Sequence, residues 1–90
     1  MRDVIKTLEI VNRLGLHARA AAKLVREAGR FQARIILERD GQEVDAKSLL
    51  GILTLACPKG SHITMRAIGA DARDALSALE ALITRKFDEE

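Results

Sequence analysis

Ninety residues suit one compact domain, and a single domain over residues 1–90 is the expectation. A composition of 48% hydrophobic and 31% charged residues excludes disorder and fibrous repeats, while 15 Lys+Arg against 13 Asp+Glu leave only +2, too small a surplus for a nucleic-acid-binding stripe. With no Trp, no Tyr, two Phe and one Cys, the chain lacks base-stacking platforms and cannot form an internal disulfide.

No apolar run approaches the roughly 18 residues needed to cross a bilayer. The N-terminus Met1-Arg2-Asp3-Val4 has no apolar signal-peptide core. A cytoplasmic protein is expected, with no membrane insertion and no nucleic-acid partner.

Asp3 to Val11, rich in Val, Ile, Thr and Leu, predicts a strand that Asn12-Arg13-Leu14-Gly15 breaks. From Ala18 the period turns helical, with Ala21, Leu24, Val25 and Ala28 on one face. Gly29 follows, where a positive φ would end the helix. Phe31, Ala33, Ile35 and Leu37 alternate with polar residues as a second strand. Asp40-Gly41 predicts a hairpin, and Val44 and Ala46 face inward on the return strand. Ser48 opens a short helix carrying Leu49, Leu50, Ile52, Leu53 and Ala56, which Gly51 weakens. Cys57-Pro58-Lys59-Gly60 is a turn before a fourth strand with Ile63, Met65 and Ala67 on one side. Asp71 can cap a last helix whose Ala72, Ala75, Leu76, Leu79, Leu82 and Ile83 keep the 3.6-residue period, and the tail Phe87-Asp88-Glu89-Glu90 is expected to fray. The order β-α-β-β-α-β-α predicts an α+β fold, a four-stranded, mostly antiparallel sheet covered on one face by three helices.

His17 lies immediately before the first helical period. A helix start offers free N–H groups, here those of Ala18, Arg19 and Ala20, and the positive end of the helix dipole. Such a terminus holds phosphate, Gly15 lets the backbone approach closely, and Arg19 adds a guanidinium able to grip phosphoryl oxygens. A nucleophile, an anion cradle and a fixed charge within six residues describe a phosphoryl acceptor. A lone histidine in such a place is, on these grounds alone, more often a surface or capping residue.

The run Asn12-Arg13-Leu14-Gly15-Leu16-His17-Ala18-Arg19, followed by an Ala-rich helix, resembles the active-site segment of the HPr family, the histidine-containing phosphocarriers of the bacterial phosphotransferase system. Val44-Asp45-Ala46-Lys47-Ser48-Leu49-Leu50-Gly51-Ile52-Leu53 is similar to the family's second motif, at the family's spacing from His17, and Gly69-Ala70-Asp71-Ala72 matches its usual ending. The resemblance covers nearly the whole chain. It implies an open-faced β-sandwich and a relay protein rather than a turnover enzyme. His17 would accept a phosphoryl group through Nδ1 from phospho-Enzyme I, itself charged by phosphoenolpyruvate, and pass it to a histidine of an EIIA protein, with Arg19 binding the phosphate. It also implies Ser48 as a regulatory site for HPr kinase/phosphorylase, and Leu49, Leu50 and Leu53 as a docking patch. The family usually has Pro after the arginine, where this chain has Ala20, a loss of rigidity at the loop-to-helix junction. Sugar uptake and the nitrogen-linked relay are both open as the branch it serves.

Arg13, Arg19, Lys23, Arg26 and Arg30 gather about the first helix, so the small net charge conceals a basic region, with Lys23 and Arg26 placed to steer acidic partner surfaces. No cofactor is expected, nor a metal, because Cys57, His62 and His17 lack paired ligand spacing. The chain is expected to be a monomer. The alternative function is a small-ligand regulatory module with an ACT-like split β-α-β arrangement, which explains the element order but not Gly15-Leu16-His17-Ala18-Arg19. An RNA-binding sheet fails for want of a strand aromatic pair.

Overall fold

The computed structural model describes residues 3–89, so Met1, Arg2 and the last residue of the acidic tail, Glu90, lie outside the described residues. Four strands, β1 (Asp3–Glu9), β2 (Arg34–Arg39), β3 (Gln42–Asp45) and β4 (His62–Ile68), form one sheet in the order β1-β4-β2-β3. Every pairing is antiparallel. Both β1 and β2 run antiparallel to β4, so they are parallel to each other with β4 inserted between them. This split arrangement places the intervening helix α1 (Ala18–Ala28) over the sheet, joined there by α2 (Leu49–Thr54) and α3 (Ala72–Thr84).

Alternation decides which face is covered. Ile35 pairs with Ala67 and Leu37 with Met65, and all four side chains are fully buried under the helices. The opposite face stays open, where the Thr7 and Thr64 hydroxyls hydrogen-bond across the strands at 3.0 Å and Ile5 is 60% exposed. All six apolar positions predicted for α3 are buried. A fully buried Leu or Ile contributes about 2 kcal/mol of hydrophobic stabilisation. Asp40 and Gly41, at φ 52° and 86°, make the tight left-handed β2–β3 turn that the sequence signals.

Three local expectations are corrected. Gly29 does not take a positive φ; it lies at −66°, and its N–H donates to the Val25 carbonyl at 2.9 Å, so the helix ends through a tightening right-handed turn. A Cβ there would approach the Val25 oxygen to 3.3 Å, a close but not forbidden contact, so neither backbone conformation nor space demands glycine at this position. Asp71 stands at the start of α3, but its carboxylate makes no cap there. It accepts instead from the Gln32 and Ala33 N–H groups, both at 2.8 Å, and ties the α1–β2 connection to α3. The tail does not fray over its described part: Lys86–Asp88 form a single tight turn and Phe87 is fully buried.

The two N–H groups on Asp71, Gln32 first, hold its carboxyl below the usual carboxylate range. A carboxyl depressed on folding stabilises fully above its unfolded value, and the contribution is lost as pH falls through the folded one. In thermal melts from neutral to acid pH, Asp71→Asn is therefore expected to lie furthest below wild type near neutrality and to converge on it in acid. A gap independent of pH would show that the charge on Asp71 is not what holds the connection.

Candidate functional site

The loop between β1 and α1 is fastened at several points. Ile10 N–H donates to the Ser61 carbonyl, Gly60 N–H to the Ile10 carbonyl, and Leu16 N–H to the Cys57 carbonyl, each at 2.8 Å. Gly15 adopts φ 69°, and a Cβ on it would meet the Cys57 oxygen at 2.5 Å and Pro58 Cα at 2.8 Å. Only glycine fits, because both the left-handed backbone and the close approach of the 57–58 turn forbid a side chain. That contact fixes where His17 begins α1.

His17 is the N-cap of α1, with extended backbone angles and its carbonyl accepting from Ala21 N–H at 2.8 Å. Its Nδ1 accepts from the Arg19 N–H at 3.3 Å, so this ring nitrogen faces the helix start. The amides of Ala18 and Ala20 belong to the same first turn, ahead of the bond that Ala21 closes. Ala20 is fully buried on the core side of that turn. The other nitrogen, Nε2, lies 2.9 Å from both carboxylate oxygens of Glu89. Arg13, Leu14, Arg19 and Glu89 line an open groove at this point.

Glu89 has a second partner. Buried Asn12 donates through Nδ2 to Glu89 Oε1 and to the Gly15 carbonyl, both at 2.7 Å, joining the loop, the histidine and the chain end in one network. The hydrogen bond from His17, with lesser help from Asn12 and the nearby Lys23 charge, holds the Glu89 carboxyl below the usual range. This hold is complete above the ordinary carboxylate range and is lost as pH falls through the lowered value. Lys23 adds a bond from Nζ to the Phe87 carbonyl at 2.5 Å.

The structure brings His17, Arg19 and Arg13 to one place with Asn12 and Leu14, part of the motif but given no role from the sequence, and adds Glu89 from the tail. Ser48 lies on α2, where its hydroxyl accepts from Gly51 N–H at 3.0 Å as the expected N-cap. Gly51 is explained by crowding, since a Cβ there would stand 3.1 Å from the Ser48 oxygen and 3.3 Å from Val44 Cβ. Leu49, Leu50 and Leu53 are exposed by 42%, 75% and 37%, as is Leu14 by 58%. Lys23 and Arg26 line a shallow depression between α1 and α3 together with Arg85 and Asp88. Cys57 is buried, burial pushes its thiol up, and His62 is exposed on β4.

The family model described as the PTS HPr component phosphorylation site matches residues 4–85. A curated relative, the phosphocarrier protein HPr of Cupriavidus necator, is 48% identical over 80 residues, covering 89% of this chain and 90% of the relative. Among solved structures, HPr-C-His from Thermoanaerobacter tengcongensis is 43% identical with a TM-score of 0.92, covering 100% of this chain and 99% of the other. An HPr dimer from the same organism is 42% identical with a TM-score of 0.77, covering 97% and 98%. These matches displace the ACT-like alternative. The open-faced antiparallel sheet, the helix opening at His17 and a match spanning nearly the whole length lead to one conclusion: the chain belongs to the HPr family, the phosphocarrier proteins of the phosphotransferase system.

Proposed function

We propose that this chain takes a phosphoryl group from the phosphohistidine of Enzyme I onto His17 Nδ1 and delivers it to a histidine of an EIIA protein. The observation that carries the reading is the direction of Nδ1, which faces the Arg19 N–H at the start of α1. A phosphoryl group on that nitrogen would meet the first-turn amides of Ala18, Arg19 and Ala20, the positive end of the dipole and the Arg19 side chain. In the transfer, the Nδ1 lone pair forms a nitrogen–phosphorus bond while the donor's breaks and the donor imidazole recovers its electron pair. Both bonds are of one kind, so the chain needs only to position the group and stabilise its charge, without a cofactor or metal.

Docking falls to Leu49, Leu50 and Leu53, joined by Leu14 at the groove, with Lys23 and Arg26 steering acidic partners. The protein acts in the cytoplasm as a monomer, and sedimentation at working concentration tests that state against the dimer known for a relative. Phosphorylation of Ser48 by HPr kinase/phosphorylase would add about two negative charges amid these leucines and so weaken docking. The test is a reconstituted relay with phosphoenolpyruvate, Enzyme I and candidate EIIA proteins. Label is expected to pass through this chain to an acceptor, and Ser48→Asp is expected to slow that passage about tenfold while Ser48→Ala transfers normally. Ser48→Ala should still cost about 1 kcal/mol of stability through the lost cap. Absence of label on the wild-type chain would refute the relay, and equal rates for Ser48→Asp and wild type would refute the regulation.

A further inference from the structure

We infer that Glu89 is a positioning residue for phosphoryl transfer: its carboxylate holds the His17 proton on Nε2 and so leaves Nδ1 as the attacking nitrogen. The inference rests on the reading of His17 as the acceptor.

A neutral imidazole carries one proton, and the nitrogen bearing it cannot attack phosphorus. Nδ1 accepts from the Arg19 N–H, which assigns the proton to Nε2. There the two oxygens of Glu89, both at 2.9 Å, are acceptors only. Without the carboxylate, only the longer 3.3 Å bond from the Arg19 N–H would favour that tautomer, and the ring would be freer to turn and to carry its proton on either nitrogen. With it, one tautomer and one ring orientation are selected.

Glu89 is itself held. Asn12, fully buried, donates to its Oε1 at 2.7 Å, and Phe87 two residues earlier is locked in the core. The backbone leading to Glu89 is strained: Lys86, Phe87 and Asp88 have φ of 58°, 57° and 60°, the left-handed region that side chains disfavour. A strained turn anchored at Phe87 brings the chain back over the loop and delivers its carboxylate to one atom.

The carboxylate also fits the charge that develops. When Nδ1 bonds to phosphorus and gives up its lone pair, the ring becomes cationic while Nε2 keeps its proton. A carboxylate already oriented on Nε2 stabilises that cation without rearrangement. On onward transfer the Nδ1–phosphorus bond breaks, the electron pair returns to Nδ1, and the proton has not moved.

The test uses the full chain and the variants Glu89→Ala and Glu89→Gln, with ¹⁵N spectra of the His17 ring and the rate of phosphorylation by phospho-Enzyme I. Wild type is expected to hold its neutral ring in the Nε2–H form, and Glu89→Ala to show a mixture of both tautomers. Both variants should lose about tenfold in kcat with little change in KM, a modest effect because the carboxylate lies at an open groove. Unchanged core methyl spectra separate this from misfolding. An unchanged tautomer and rate in Glu89→Ala would overturn the inference, as would faster transfer, which would make Glu89 an obstructing group instead. If wild type itself gains no phosphoryl group, the acceptor reading of His17 falls and takes the inference with it. If wild type is labelled and the variants match it, the inference alone falls.

Discussion

His17→Ala incubated with phosphoenolpyruvate and Enzyme I is expected to acquire no acid-labile phosphoryl group under conditions that label the wild type fully. Among the described residues at the groove, Glu89 carries the other nucleophilic oxygens, but it would give an acyl phosphate rather than a phosphoramidate, and its carboxylate is engaged by His17 and Asn12. Arg13 and Arg19 are fixed cations without a lone pair to offer, and Asn12 commits its amide nitrogen to Gly15 and Glu89. The chain's other histidine, His62, is the first residue of β4, paired with Glu9 in the sheet, and has no helix start before it. His17 is also an N-cap, so its removal alters stability as well. Replacement of a good cap by Ala costs about 1 kcal/mol, which leaves the domain folded but slightly weakened. His17→Asn separates the two effects. Asparagine is among the best N-cap residues yet cannot form a phosphoramidate of this kind, so it should restore the cap, melt above His17→Ala and still take no label. A His17→Asn variant that is labelled at the wild-type rate would show that the acceptor lies elsewhere, and His62→Ala would then be the next variant to assay.

How much of this could be read from the chain depends on the range of the interaction concerned. The period of α3 and the Asp40-Gly41 turn are set by neighbours within a few residues, and both appear where the sequence places them. Ser48 likewise caps α2 through a bond only three residues long. Local rules fail where a distant group competes for the same atoms. Asp71 was positioned to cap α3, but the free N–H groups of Gln32 and Ala33 take its carboxylate across 38 and 39 residues. Gly29 stands where a left-handed stop is usual, yet the right-handed turn closes without one. His17 was legible because its helix start and its family motif are contiguous. Glu89 carried no signal: it reaches His17 over 72 residues and Asn12 over 77, from a tail expected to fray. One aromatic among five charged neighbours reads as frayed until the folded core buries it.

That buried aromatic governs the largest stability effect. Phe→Ala in a well-packed core costs about 3–5 kcal/mol when the surroundings stay in place. Here they need not stay. The left-handed turn at Lys86, Phe87 and Asp88 carries strain of roughly 1–2 kcal/mol per residue. The remaining attachments are the Lys23 bond to the Phe87 carbonyl, the Arg85–Asp88 ion pair and the Glu89 contacts to His17 and Asn12. Most are partly exposed, and such bonds contribute about 1 kcal/mol or less each. Strain and attachment therefore nearly cancel once the ring is gone, and the chain end is expected to detach rather than persist over a cavity. Detachment recovers strain and chain entropy, so the net loss should fall to about 2–3 kcal/mol. For a domain of this size that lowers Tm by roughly 10–20 °C. Two readouts distinguish detachment from a simple cavity. Amide exchange at residues 86–89 should rise to the rate of an open chain while α3 stays protected, and the His17 ring should show the same tautomer mixture as Glu89→Ala, although residue 89 is unchanged. A variant that loses the full 4 kcal/mol or more while keeping His17 bound to Glu89 would mean that the turn is held by its polar contacts and that Phe87 merely fills space beneath it.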